Sequence, residues 1–205
     1  MPRKYQLKQR AEKMEETRQR IVEATVALHE ELGPAQTTIS AIAARAGVER
    51  LTVYRHFPDE EALFSACTTE YWSQYPIPDP QPWVDVADPM ERLGVALREL
   101  YAYYRQTEAM TLKSMRDVAV KPALAKAVEA KRDHWMRIQE VLMDGWTADA
   151  EQMRLIAAAV GHATGFQAWH ELCRQQGLTE EEAIEVMLAM AGGVAGRTPA
   201  VLPAR

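Results

Sequence analysis

The stretch AGVERLTVYRHF, residues 46–57, groups side chains that can bind an anion or a hydrogen-bonding surface. Arg50 can donate two hydrogen bonds to guanine O6 and N7, and Leu51 can touch a thymine methyl group. Three further residues carry polar tips that suit phosphate oxygens, which position a protein on a duplex without reading its sequence. These residues are Thr52, Tyr54 and His56. The group therefore favours contact with DNA.

Two residues shortly before this stretch, Thr38 and Ser40, extend the group. Thr38 can donate a hydrogen bond to a phosphate, and Ser40 can reach a phosphate or a base edge. Each residue also has an ordinary structural role: Thr38 can simply cap a helix, Tyr54 can be a half-buried aromatic residue, and His56 a surface histidine. It is their occurrence together at one spacing that indicates DNA, and not any one of them.

These side chains can act together only if two helices hold them. Thr38 is a good N-cap, and apolar residues then fall at i, i+3, i+4 and i+7, which predicts a second helix with one buried face. The residues of this face are Ile39, Ile42, Ala43 and Ala46. Gly47 can end this helix in the left-handed conformation, and Val53 and Phe57 would bury a third helix over 50–56. This is the helix-turn-helix arrangement, whose second helix enters the major groove.

Helical periodicity continues along nearly the whole chain, and no segment shows the alternation of a strand. A first helix is predicted over 14–32, and Asp59 can cap a fourth helix. Four prolines in residues 76–83 exclude a helix or a central strand there. Later helices are predicted over 89–105, 108–119, 122–145, 149–175 and 179–195. The fold class expected is therefore all-α, with about nine helices.

The charge of the chain is unevenly distributed. Its 205 residues carry a formal net charge of −5, which argues against indiscriminate binding of nucleic acid. Residues 1–58 nevertheless contain ten Lys/Arg and seven Asp/Glu, whereas residues 59–205 contain fourteen and twenty-two. A basic front on an acidic body suggests an anionic partner for the front alone.

Several classes of protein are not favoured by the sequence. Cys67 and Cys173 do not have the spacing of metal ligands, so no metal or cofactor is expected. We expect a reduced, cytoplasmic setting. No signal-peptide pattern and no apolar run long enough to cross a membrane are present. None of the GxSxG, P-loop, GxGxxG or HExxH motifs occurs, so we do not expect an enzyme.

The stretch TTISAIAARAGVERLTVYRHFPDEEALF resembles the DNA-binding signature of the TetR family of transcriptional regulators. The matching elements are Thr38, Ile42-Ala43, Ala46-Gly47-Val48, Val53-Tyr54, His56-Phe57 and Ala62-Leu63. The resemblance implies a homodimer with an N-terminal three-helix DNA-binding domain and a helical regulatory domain. It also implies a repressor that leaves a palindromic operator when a small-molecule effector binds.

Carried over by position, six residues of the third helix would line the DNA, and Thr38 and Ser40 would lie at its edge. The six are Arg50, Leu51, Thr52, Tyr54, Arg55 and His56. Two residues depart from the family pattern. Glu60 replaces the lysine that is common at the start of the fourth helix, and Glu49 stands where small caps are common. The first departure puts one phosphate contact in doubt, and the charge of Glu49 would need to point away from phosphate or accept a hydrogen bond from a cytosine amine.

Aromatic residues and methionines crowd the middle of the chain and, as a group, favour an apolar ligand cavity with a few polar groups. Core packing is the alternative for any single one of them. The candidate ligand-binding residues are Trp72, Trp83, Tyr101, Tyr104, Met115, Trp135, Gln139, His162, Phe166 and Trp169. A flat or apolar ligand would suit this set.

The last two predicted helices are apolar over wide arcs, so they need burial on two sides, which a twofold dimer would provide. The residues predicted for this interface are Ile156, Val160, Gly161, Met187 and Ala191. A thick monomeric core is the alternative. For the whole chain, the alternative to a DNA-binding regulator is a helical protein-binding adaptor that binds no DNA.

The predicted division of the chain has four parts. They are a basic flexible arm over 1–13, the helix-turn-helix domain over 14–58, a connecting helix over 59–75, and a ligand-binding and dimerisation domain over 76–205. The expected partners are a double-stranded DNA operator, a small-molecule effector and a second copy of the chain, with no membrane.

Overall fold

The structure is a computed structural model that describes residues 3–196, with side chains described from residue 8 onward. Those residues form ten α-helices and no strand, so the expectation of an all-α fold with about nine helices is confirmed. The helices are α1 (Arg3–Glu31), α2 (Ile39–Ala46), α3 (Arg50–His56), α4 (Glu60–Gln74), α5 (Pro89–Asp117), α6 (Pro122–Glu129), α7 (Arg132–Met143), α8 (Ala150–Ala163), α9 (Phe166–His170) and α10 (Glu180–Val194). A short 3-10 helix covers Gln81–Asp85, and a π-helical turn, Glu171–Gln175, continues α9.

The chain divides into two compact units. The first contains the residues up to Pro76 together with Thr107–Lys131, and the second contains Ile77–Gln106 together with the residues from Arg132 onward. The predicted division placed everything from residue 76 in one domain, whereas residues 107–131 belong to the first compact unit. Lys121 and Lys126 of this segment form ion pairs with Glu60 and Glu61 at the start of α4. These partners are far apart in sequence, so no local pattern predicts the pairs.

The first helix begins at Arg3, eleven residues before the predicted start at residue 14. The residues of 8–13 are helix formers such as Lys, Gln, Arg, Ala and Glu, and Lys8 lies 3.7 Å from Glu12 one turn later. All side chains of 8–16 are exposed, so this part of α1 is helical without packing on the rest of its unit.

Three other boundaries differ from the prediction. The predicted helices 89–105 and 108–119 are one helix, α5, because nothing in the joining residues breaks it and Thr107 is buried. The predicted helix 122–145 is two helices, interrupted at Ala130–Lys131, where the first unit ends. The predicted helix 149–175 is interrupted at Gly165, which is in an extended conformation and acts as the N-cap of α9.

Each unit has its own apolar core. In the first unit, α1, α2, α3 and α4 bury residues that include Ile21, Val22, Ile42, Val53, Phe57 and Leu63. In the second unit the core surrounds Trp83, Leu97, Tyr101, Ile138, Leu142 and Trp169. Arg92 is buried at the edge of this second core, where it donates to the carbonyl oxygens of Val86, Val141 and Asp144 at 2.8–3.0 Å. None of the described helices is long and apolar enough to cross a membrane.

Candidate DNA-binding surface and aromatic cluster

Hydrogen bonds define both ends of α2, and those at its C-terminus form the turn to α3. The Thr38 side chain accepts from the Ala41 amide at 3.2 Å and so caps the N-terminus of α2. At the other end, the amides of Gly47 and Val48 donate to Ala44 and Ala43 carbonyls at 3.3 and 3.0 Å. Gly47 has φ 65°, and this arrangement is the Schellman cap that a left-handed glycine permits.

The short helix α3 buries one side and exposes the other. Val53 of α3 is fully buried, and Phe57, the residue directly after α3, is also buried in the core. The Arg18 guanidinium lies 5.0 Å from the centre of the Phe57 ring. On the opposite side Leu51 is 75% exposed and Tyr54 44% exposed. We call the solvent side of α3 the outer face; it consists of Arg50, Leu51, Thr52, Tyr54, Arg55 and His56, of which Thr52 and His56 are half-buried.

Thr38 and Ser40 are both exposed at the start of α2. Arg45 at the other end of α2 is also exposed, but its guanidinium binds both carboxylate oxygens of Glu31, at 2.5 and 2.6 Å. Its charge is therefore already paired within the chain. Burial, and then the neighbouring charges of Arg55 and Arg18, lower the pKa of His56, which favours its neutral form.

The two acidic departures from the family pattern have different surroundings. Glu49 is the exposed N-cap of α3, and its side chain makes no capping hydrogen bond. Glu60 and Glu61 begin α4 and pair with lysines of the α6 segment: Lys121 lies 2.7 Å from Glu60, and Lys126 lies 2.6 Å from Glu61. The negative charge at the start of α4 is therefore partly neutralised within the first unit.

A cluster of rings, which we call the aromatic cluster, occupies the second unit. It consists of Tyr101, Tyr104, Trp135, Phe166 and Trp169. Tyr104 is central, with ring centroids 5.5–6.5 Å from those of the other four.

The hydroxyl groups of this cluster bond to the backbone at the end of α8. Tyr101 donates to the Ala163 carbonyl at 3.0 Å and Tyr104 to the Thr164 carbonyl at 2.5 Å. Burial raises the pKa of both phenols, so they stay protonated donors. Gln139 donates to the Thr164 hydroxyl at 2.8 Å, so its side-chain amide already has a hydrogen-bond partner beside the cluster.

The structure does not bring all the predicted ligand-binding residues together. Trp72 and Met115 belong to the first unit, where the Lys131 ammonium lies 4.1 Å from the centre of the Trp72 ring and Met115 is 42% exposed. His162 is exposed on α8, and Trp83 is fully buried in the core of the second unit. The predicted residues that the structure does bring together are those of the aromatic cluster, with Gln139 beside them.

Two indole groups of the second unit have an unused hydrogen-bond donor. The Nε1–H groups of Trp83 and Trp169 are buried and have no hydrogen-bond partner among the described residues. A buried donor of this kind costs free energy unless an acceptor meets it. Trp169 also has the Arg174 guanidinium 4.7 Å from its ring centre.

Four of the five residues predicted for the dimer interface are buried within the chain itself. Ile156, Val160, Met187 and Ala191 are buried in the core of the second unit, and only Gly161 is partly exposed. The pattern of the two helices indicates two apolar sides, and the more apolar stripe faces the chain's own core. The outer face of α8 and α10, as we call the exposed side, includes Leu155, Ala158, Val186, Ala189, Met190 and Gly193.

Comparison with known proteins agrees with this geometry. Residues 21–67 match the model of the bacterial regulatory proteins, tetR family. This segment runs from the buried part of α1 to the middle of α4, so it contains the helix-turn-helix and the outer face of α3. No curated protein matches the chain.

Solved structures share the fold at low sequence identity. A TetR-like transcriptional regulator from Rhodococcus sp. RHA1 is 21% identical, with a TM-score of 0.62 over 88% of this chain and 97% of that one. A TetR transcription regulator from Haloarcula marismortui ATCC 43049 is 18% identical, with a TM-score of 0.55 over 88% and 96%. The multidrug binding protein EbrR, complexed with imidazole, is 21% identical, with a TM-score of 0.54 over 84% and 93%. The chain therefore shares its fold with these solved structures, and its residues 21–67 match the model of the bacterial regulatory proteins, tetR family.

Proposed function

We propose that the chain is a dimeric repressor that binds a palindromic operator through α3 and leaves it when a small apolar or aromatic ligand binds the second unit. The observation that carries this proposal is the outer face of α3. Arg50, Leu51 and Tyr54 are exposed there. The buried side chains of Val53 and Phe57 hold the helix in place. A protein-binding adaptor would have no need of this combination after a capped glycine turn.

The residues of the outer face have separate roles in this proposal. Arg50 and Leu51, in the first turn of α3, read base edges, because the N-terminal residues of a recognition helix lie deepest in the groove. Thr52, Tyr54, Arg55 and His56 bind phosphates, with Thr38 and Ser40 at the edge of the contact. Glu49 is exposed beside them and either avoids the phosphates or accepts a hydrogen bond from a cytosine amine.

The dimer forms through the outer face of α8 and α10. Leu155 and Met190 are each about half exposed, at 47% and 53%, and Ala158 and Gly193 leave room for a close approach of another helix. Two copies related by a twofold axis would present two α3 helices to successive major grooves, on the order of 34–36 Å apart or a multiple of that spacing.

The effector binds at the aromatic cluster. Rings with a shared apolar surface suit a flat or apolar molecule, and the buried Trp169 indole offers a hydrogen bond to an acceptor on it. EbrR, a protein of the same fold, has been observed with imidazole. A ligand can release DNA only by binding more tightly to the state with low operator affinity. Operator and effector would then weaken each other's binding reciprocally.

Selection of bound sequences from randomised duplex DNA tests the operator part of the proposal. The expected result is a palindromic consensus with two equal half-sites, because a twofold dimer reads the same sequence twice. Absence of any enrichment would favour the protein-binding adaptor. Enrichment of a single, non-repeated half-site would contradict the dimer while leaving DNA binding in place.

Light scattering at micromolar concentration tests the dimer without DNA. The wild-type chain should have twice the monomer mass, and Leu155→Glu with Met190→Glu should return it to the monomer mass. Arg154→Glu replaces an exposed residue of α8 that is already polar; it is the matched control and should stay dimeric. A monomeric wild-type chain would remove the dimer claim.

A further inference from the structure

The turn between α1 and α2 is held by the last two residues of α5. The Ala35 amide donates to the Asp117 carboxylate at 2.9 Å, and the Arg116 guanidinium donates to the Leu32 carbonyl at 3.0 Å. Both backbone groups lie where no helix satisfies them, since α1 ends at Glu31 and α2 begins at Ile39. We call Arg116 and Asp117 the turn latch.

The latch is built as a unit. Asp117 is only 3% exposed, although an isolated buried carboxylate is costly. Arg116 offsets this cost with two hydrogen bonds to it, at 2.6 and 3.0 Å, and holds the pKa of the Asp117 carboxyl below its usual range. The carboxylate is therefore charged at neutral pH and presents a strong acceptor to the Ala35 amide.

The turn and the latch are fitted closely to each other. Gly33 has φ +95°, and a Cβ atom at this position would overlap the Arg116 guanidinium and the Asp117 carboxylate. The Thr37 hydroxyl donates to the Gly33 carbonyl at 2.9 Å. The latch therefore fixes the backbone immediately before Thr38, the N-cap of α2.

The same part of the first unit also holds the chain after α3. Lys121 and Lys126, which follow the latch in sequence, pair with Glu60 and Glu61 at the start of α4. The helix-turn-helix is therefore held on both sides. Arg116 and Asp117 form hydrogen bonds to the turn before α2, and two lysines form ion pairs with the residues that follow α3. Among the charged side chains of these contacts, Asp117 is the most buried.

We propose that Arg116 and Asp117 are positioning residues for DNA binding, which hold the α1–α2 turn so that α2 and α3 keep the orientation that fits an operator. This inference rests on the proposed function. It extends the DNA-binding machinery beyond the contiguous helix-turn-helix to residues that lie more than eighty positions later. Neither residue touches DNA in this proposal.

The test compares binding of two duplexes, the operator obtained by selection and a scrambled duplex of the same composition. Asp117→Ala should weaken operator binding about tenfold or more, because it leaves the Ala35 amide without its charged acceptor. Binding to the scrambled duplex should stay within about twofold, since it depends on total charge more than on helix orientation. Asp117→Asn should recover part of the affinity, because its amide oxygen can still accept from Ala35. Glu99→Gln, an exposed acid on the same helix, is the control and should bind as wild type.

A second variant and a second measurement guard against misfolding of Asp117→Ala, which circular dichroism would detect. Arg116→Ala removes a half-exposed side chain and should lower operator affinity in the same direction. In the wild-type chain, the Ala35 amide should exchange with deuterium far more slowly than an exposed loop amide. Wild-type operator affinity in the folded variants, or fast exchange at Ala35, would overturn the inference. A wild-type chain without preference for any duplex would instead remove the proposed function itself.

Discussion

The outer face of α3 and the aromatic cluster use large side chains in opposite ways. On α3 the side chains offered to a ligand point into solvent, and Val53, with Phe57 at the end of the helix, anchors them. In the cluster, Tyr101 and Trp169 are fully buried, and the phenol groups of Tyr101 and Tyr104 are bonded to the backbone near the end of α8. The first region is an exposed surface anchored by two buried side chains, and the second is part of a hydrophobic core.

This difference separates stability from function in one region and joins them in the other. Exposed residues away from caps and buried contacts change stability little when they are replaced, so variants of the α3 outer face should report on DNA alone. Variants of the aromatic cluster change core packing first. A ligand of the cluster must therefore compete with contacts that the folded chain already makes.

Trp169→Ala should have the largest effect on stability. Removal of a fully buried Trp leaves a cavity in the core of the second unit, and substitutions of this type cost about 3–5 kcal/mol. Urea unfolding at one fixed protein concentration would measure the loss. Trp169→Phe should cost clearly less, because it keeps a ring and removes the unpartnered indole N–H. A loss below about 1 kcal/mol for Trp169→Ala would mean that the cluster is not a core.

Acid titration of His29 should show that the first unit also has a sensitive interior. Burial, and then the charge of Lys121, lower the pKa of His29 from 6.5 to about 4. Between these two values the unfolded chain binds a proton that the folded chain does not. The contribution of His29 to the free energy of unfolding therefore decreases as the pH falls from about 6.5 to about 4, by at most about 3 kcal/mol.

His29→Gln removes this titration and should flatten the pH dependence of stability in that interval. His162→Gln replaces an exposed histidine of α8 and is the matched control, with a profile like that of wild type. Asp117 responds at lower pH, because its lowered pKa means that its stabilising effect is lost only as the pH falls below about 4. Equal profiles for wild type and His29→Gln above pH 4 would contradict the prediction.

The sequence predicted the two regions unequally, for a physical reason. In the helix-turn-helix, local signals determine the structure: Thr38 caps α2, Gly47 ends it, and Val53 marks the buried side of α3. In the second half, aromatic residues were identified as a group, but Trp72 and Met115 lie in the other unit. Periodicity identifies an apolar side of a helix without identifying what covers it.

The same limit explains the dimer residues and the turn latch. Two apolar sides of α8 and α10 were expected, yet the choice between them depended on which neighbour each side meets. The latch joins Asp117 to Ala35 across more than eighty residues, and no local pattern around either residue indicates the other. Both features are tertiary contacts, which a single sequence encodes only through packing.

Arg50→Ala and Tyr54→Ala should change DNA binding without changing stability. Arg50→Ala should weaken operator binding by about 1–3 kcal/mol, the range for loss of a base-specific contact. Tyr54→Ala removes a phosphate contact, so it should weaken binding about equally for all duplex sequences. The free energy of unfolding should change by no more than about 0.5 kcal/mol, because both side chains are exposed. Arg45→Ala is the control: its charge is paired with Glu31, so operator affinity should change less. A large loss of stability in Tyr54→Ala would show that the α3 outer face is not separable from the core.

Thr38 gives the smallest expected effect and the sharpest test of the comparison, because it belongs to both classes of residue. Its side chain caps α2 and is nevertheless exposed at the edge of the proposed DNA contact. Thr38→Ala should cost about 1 kcal/mol of stability, the usual value of an N-cap. Thr38→Asp keeps the cap acceptor but adds a negative charge, so stability should return while operator binding remains weakened. If Thr38→Asp binds the operator as well as wild type, the residue is only a cap, and the DNA contact begins at α3.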